Sequence, residues 1–180
     1  MTAQLQINAQ SYHLRYLPSE DRMLLSVSVP STGEFGVVLT RRLTLGLLKA
    51  LAKIAIERST EKASVNPVLR DTLLDFEHSK QVAAALAQGK LREEKRDTEL
   101  TVPPKLICQL TITPKKDGSL TIVFDHPEQL LTLAIEAGRL HMVIETFVRV
   151  AERADWDFPP LAGWLDPAKQ AAGAAGHSLN

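Results

Sequence analysis

The amino-acid sequence predicts an α+β protein, a mostly antiparallel sheet or pair of sheets with helices packed on it. Three observations carry that prediction. Residues 4–29 and 106–124 alternate apolar and polar side chains with a period of two, the pattern of half-buried strands. Residues 40–58, 67–87 and 135–154 space their apolar residues at helical intervals instead. Finally, Leu39–Leu48 and Leu131–Leu140 echo each other 92 positions apart, with Leu, Thr, Gly and Leu in register, each between strand-like sequence and an apolar helix. The chain is therefore expected to hold two related β-meander/helix units. Residues 1–59 form the first, 60–104 a helical and charged connector, 105–156 the second, and 157–180 an aromatic, proline-rich and then Ala/Gly-rich tail, with 1–156 expected as one compact body.

Tyr12, Leu14 and Tyr16 alternate with His13 and Arg15, which places His13 toward solvent. Met23, Leu25, Val27 and Val29 alternate with Leu24, Ser26 and Ser28. Pro18–Asp21 turns the chain between these strands, and Pro30–Gly33 ends the run before a third strand near Phe35–Leu39. Thr40 suits a helix N-cap, because its hydroxyl can accept one of the unpaired backbone N–H groups of the first turn. The helix runs to about Arg58, with Leu43, Leu47, Leu51 and Ile54 as its stripe, widened by Leu45, Leu48, Ala52 and Ala55. A stripe so broad is covered on more than one side.

Residues 59–66 read as a polar loop, with Asn66 and Pro67 opening a second helix. Leu69, Leu73, Phe76, Lys80, Ala83 and Ala87 share one face of it and are expected inward, with Arg70, Asp71, Asp75 and Glu77 outward. Gly89 and the charged stretch 90–99 end it, and Pro103-Pro104 restarts the chain in extended form. Leu106, Cys108, Leu110 and Ile112 then alternate as one apolar strand face. Residues 114–118 turn, and Leu120, Ile122 and Phe124 return as the second strand of a hairpin. A short strand at 130–133 precedes a third helix over about 135–154, with Leu140, Val143, Ile144, Phe147, Val150 and Ala151 inward. Glycine costs a helix interior about 1 kcal/mol relative to alanine. The pair Gly46 and Gly138 therefore predicts close backbone approach near each helix start.

Composition bounds the function classes. Lys and Arg number 21 and Asp and Glu 21, so the formal net charge is zero. Residues 1–59 carry seven Lys/Arg against four Asp/Glu, and 105–180 carry seven against nine. A dedicated nucleic-acid binder has a basic excess that supplies its affinity for phosphate, so this balance disfavours one. Near-zero charge also leaves little repulsion between copies. A single cysteine, Cys108, excludes an internal disulfide and, with no basic-then-apolar leader in the sequence, fits a cytoplasmic protein. No apolar run approaches the roughly 20 residues of a membrane span.

Candidate chemistry is sparse. The histidines are His13, His78, His126, His141 and His177, and none stands at metal-ligand spacing from another His or from Cys108, so no metal and no cofactor is expected. No Walker loop, GxGxxG or Gly-x-Ser-x-Gly elbow occurs. His126 or His141 with a nearby carboxylate is the enzymatic candidate, and Cys108 reads as a small buried hydrophobe. Arg41, Arg42, Lys49 and Lys53 form a candidate basic strip for phosphate or an acidic partner. Trp156, Phe158, Leu161, Trp164 and Leu165 form a candidate partner-binding cluster among prolines. A docking peptide and a clasp over the chain's own core fit Trp156 and Phe158 equally, whereas the outlying Trp164 and Leu165 favour docking. The functional expectation is a non-enzymatic, self-associating interaction or assembly protein. A nucleic-acid-associated protein is the alternative, and an enzyme of unrecognised class the third.

Overall fold

Thr40 marks the junction of sheet and helix as its chemistry suggests: its Oγ1 accepts the Leu43 N–H at 3.2 Å. The computed structural model describes residues 5–9, 11–62, 67–87 and 100–159. Four strands precede that junction, β1 (Leu5–Ala9), β2 (His13–Leu17), β3 (Arg22–Val29) and β4 (Gly33–Thr40), and α1 (Arg41–Lys62) and α2 (Pro67–Ala87) follow it. Then come β5 (Lys105–Leu106), β6 (Gln109–Pro114), β7 (Leu120–His126) and β8 (Gln129–Ile135). A 3-10 turn, Ala137–Arg139, leads into α3 (Leu140–Arg153).

The fold is α+β, with two mixed and mostly antiparallel sheets of four strands. One has the order β2-β3-β4-β5 and the other β1-β8-β7-β6. Each takes three consecutive antiparallel strands from one half of the chain and a parallel edge strand from the other half. β1 pairs with β8, Leu5 opposite Gln129, and β5 pairs with β4, Val37 opposite Lys105. The sheets are tied where the Gln129 amide, buried at the start of β8, donates to the Gly36 carbonyl of β4 at 3.1 Å. The Lys105 ammonium of β5 also donates to Glu128 in the turn before β8. One core cluster runs through both sheets and all three helices, from Ile7, Met23 and Val37 through Leu47, Leu51 and Leu74 to Phe124, Leu133, Phe147 and Trp156.

The segment before β5 lies close along β4. Thr101 N–H donates to the Glu34 carbonyl at 2.7 Å, and Glu34 N–H donates back to Thr101 Oγ1 at 3.0 Å. Gly33 permits this approach: its φ is +121°, and a Cβ there would stand 2.1 Å from Thr101 Oγ1.

Five sequence expectations need correction. Gly46 lies in the second turn of α1 and Gly138 in the 3-10 turn, and a Cβ on either would meet nothing within 4 Å, so neither marks close approach. Leu39 is next to last in β4 while Leu131 is in mid-β8, so the 92-residue echo does not align equivalent positions. The third helix starts at Leu140, because β8 extends to Ile135 and the 3-10 turn follows. The face of Leu106 and Cys108 points out: Ile107 N–H donates to the Val38 carbonyl at 3.0 Å, and its side chain fills the core at 1% exposure. That fixes its two neighbours on the opposite side, and Cys108 is exposed. Leu110 and Ile112 are only half-buried, since β6 is an edge strand. The fifth correction, the orientation of α2, concerns the site itself.

Candidate functional site

Helix α2 packs across α1 and α3 through a stripe that mixes apolar and polar residues. Leu74, His78 and Ala85 are buried, and Arg70 and Gln81 are half-buried beside them. Facing this stripe, α3 presents His141, then Glu145 and Arg149 one and two turns further on. His78 Nδ1 lies 3.3 Å from His141 Nδ1, and His78 Nε2 lies 3.1 Å from Glu145 Oε2. Arg149 Nε donates to Glu145 Oε1 at 2.6 Å.

Electrostatics set the protons in this chain of groups. The bond from His78, supported by Arg149, holds the Glu145 carboxyl below the usual carboxylate range, against the opposing effect of burial. Burial, reinforced by the neighbouring His78, lowers His141 to about 4. An ionised Glu145 accepts the N–H at His78 Nε2, and the facing Nδ1 atoms of His78 and His141 share one hydrogen bond, whose donor is set by the two tautomers. The network can pass a proton along its length, but it sits in a helix–helix seam with both imidazoles buried. Its direct effect is to fix α2 on α3 in one register.

The opposite side of α2 is the apolar one. Leu73 is 43% exposed, Phe76 66% and Leu86 48%, and Lys80, Ala83, Ala84 and Ala87 are exposed with them. Leu73, Phe76, Lys80, Ala83 and Ala87 follow the alternating three-and-four spacing of a helix–helix seam. The face expected inward therefore points out, and Arg70, expected outward, is half-buried. The inward stripe is held by the His78 bonds to His141 and Glu145 of α3.

No family model, curated protein or solved structure matches this chain.

The other sequence candidates separate in space. The backbone after α3 makes a Schellman turn, with Asp155 N–H donating to the Glu152 carbonyl at 3.0 Å and Trp156 N–H to the Ala151 carbonyl at 3.0 Å. Asp155 takes the left-handed conformation at φ +52°. That turn swings Trp156 back against the first sheet, where it is 5% exposed and meets Tyr16 edge-on at 6.0 Å. Its indole N–H donates to Asp21 Oδ1 at 2.6 Å, and Tyr16 donates to the same oxygen at 2.8 Å. Together these bonds hold the Asp21 carboxyl below its usual range. Phe158 is half-buried, its ring 5.8 Å from Trp156 and 5.9 Å from the Arg41 guanidinium. Trp156 is thus part of the chain's own core. Leu161, Trp164, Leu165 and His177 lie outside the described residues.

In the basic strip, Arg41 turns away to donate to the Asp157 carbonyl at 2.6 Å. Arg42, Lys49 and Lys53 share the exposed face of α1, with Lys53 3.8 Å from Glu57. Arg42 also borders a shallow hollow of about 300 Å³ between α1 and the start of β6, lined by Leu43, Leu47, Cys108 and Leu110. His126 closes the β7–β8 turn, its Nδ1 accepting the Glu128 N–H at 3.2 Å. Among the described residues no group of three or more His, Cys, Asp and Glu side chains is placed to hold a metal ion, and no helix is long and apolar enough to cross a membrane.

The sequence reading singled out His141 but missed its partner. The signal was available: His78 lies on the stripe of Leu74, Gln81 and Ala85, and His141 and Glu145 are one turn apart on a strongly amphipathic helix.

Proposed function

We propose that this chain is a non-enzymatic, self-associating interaction or assembly protein whose contact surface is the outward face of α2. The observation that carries this reading is the inverted polarity of that helix. It turns His78 inward to the His141 and Glu145 side chains of α3, and leaves Phe76 and two leucines exposed. Burying a side chain the size of Phe76 contributes about 1.5–3 kcal/mol, which this fold on its own leaves unused. Grouped exposure of large apolar residues on one helix is the usual mark of a contact surface. A second reading, association with nucleic acid, draws on Arg42, Lys49 and Lys53 on the exposed face of α1. It ranks behind, because Arg41 is engaged by Asp157 and Lys53 is paired with Glu57.

The test places a photo-crosslinking phenylalanine analogue at position 76 in the native host. A defined protein adduct, absent when the analogue replaces exposed Lys53, is the expected result. No adduct at position 76 would overturn the reading.

A further inference from the structure

We propose that the occupant of this face is the same face of a second copy, the two α2 helices crossing antiparallel about a two-fold axis near residue 78. This rests on the interaction reading above and names its partner.

The seam is complementary to its own reverse. Its large residues, Leu73 and Phe76, lie in the N-terminal half, and its small ones, Ala83 and Ala87, in the C-terminal half. Antiparallel pairing centred on residue 78 sets Leu73 of one copy against Ala83 of the other, twice by symmetry. Phe76 of one copy then meets Lys80 of the other, whose stem covers the ring while its ammonium faces the π cloud. Parallel pairing would oppose Phe76 to Phe76 and leave the alanines facing each other across a gap.

Charge selects the same direction. Asp71, Asp75 and Glu77 are all in the first half of α2, and residues 78–87 contain no acid. A parallel pair would bring the acidic halves together. The antiparallel pair lays each acidic half over an acid-free, alanine-rich one whose one charge is Lys80, brings that Lys80 within a turn of the other copy's Glu77, and opposes the helix dipoles favourably. The contact is isologous, as a two-fold dimer requires, and closes on itself. The chain's zero net charge leaves no long-range repulsion to overcome.

The geometry is tested by cysteine pairing in a Cys108→Ser background, where the exposed native thiol no longer competes. Residues ten apart on a helix are about 15 Å apart along its axis, beyond the reach of a disulfide. Leu73→Cys alone should therefore stay monomeric on a non-reducing gel after mild oxidation. Leu73→Cys with Ala83→Cys should give a covalent dimer. In sedimentation velocity the unmodified chain should dimerise as its concentration rises to about 100 µM, and Phe76→Glu should remain monomeric with an unchanged circular-dichroism spectrum.

A covalent dimer from Leu73→Cys alone would overturn the antiparallel direction. A chain that is monomeric throughout and gives no dimer from the double variant would overturn self-pairing. If position 76 then crosslinks to a different protein, the interaction reading stands with another partner. If it crosslinks to nothing, both readings fall.

Discussion

Gly46 sits in α1 with open space where a side chain would be, and the helix around it takes the full entropic cost of a residue without a Cβ. Gly46→Ala is therefore expected to stabilise the protein by about 0.5–1 kcal/mol, read as a shift in denaturant midpoint at constant slope. A loss of stability would mean that the hollow beside Arg42 needs its floor open. The opposite case is Gly33, where both conformation and the Thr101 hydroxyl forbid a side chain. The two glycines thus do unlike things, one turning the chain at positive φ against a neighbouring segment and the other lying open in a helix. At Trp156 the local rules were more legible. An aromatic just past a helix end, after an Asp able to adopt a left-handed conformation, is the pattern of a Schellman turn with its apolar contact. The partner of its indole, Asp21, lies 135 positions away and nothing near Trp156 announces it.

At the scale of elements, the seam between α2 and α3 sets a pH dependence. His141 is held neutral, at about 4 against an ordinary value of 6.5, by burial and by His78, with Glu145 and Arg149 completing its surroundings. Because folding lowers the pKa of a base, the stability it contributes is fully present above pH 6.5 and is lost as the pH falls from 6.5 toward 4, by about 3 kcal/mol in all. Urea unfolding at intervals across that range should show the slope, and His141→Leu should flatten it. An equal slope in the variant would place the titration elsewhere. Sequence periodicity located α1, α2 and the β6–β7 hairpin well, since each has one dominant repeat. It misread α2 because that helix carries two stripes, one apolar and one mixed, and the rule that apolar faces inward has no term for hydrogen bonds waiting on another helix. It misread Cys108 because Ile107, beside β5, is the residue that turns inward there, so the parity of residues 106–108 differs from that of β6, where Leu110 and Ile112 keep the expected side.

At the scale of the molecule, the exchanged edge strands make each sheet depend on both halves of the chain. Deleting residues 1–9 would strip β8 of its parallel partner and remove buried Ile7 and Ala9 from the core. The loss from Ile7 alone is about 2 kcal/mol, and the bared edge of β8 is a template for aggregation. The truncated chain should melt lower and aggregate at concentrations the full chain tolerates, and an unchanged melting temperature would show that β1 contributes nothing to the fold. This connectivity had no sequence signature, because parallel pairing leaves no turn to read. The same exchange sets a timetable for synthesis. β1 leaves the ribosome well before its partner, which begins at Gln129, more than 100 residues later. At about 5–20 residues per second, a nascent chain carries that unpaired strand for on the order of ten seconds before β8 is available. Gln6 and Asn8 alternate with its apolar residues, so the waiting strand offers one apolar face rather than two.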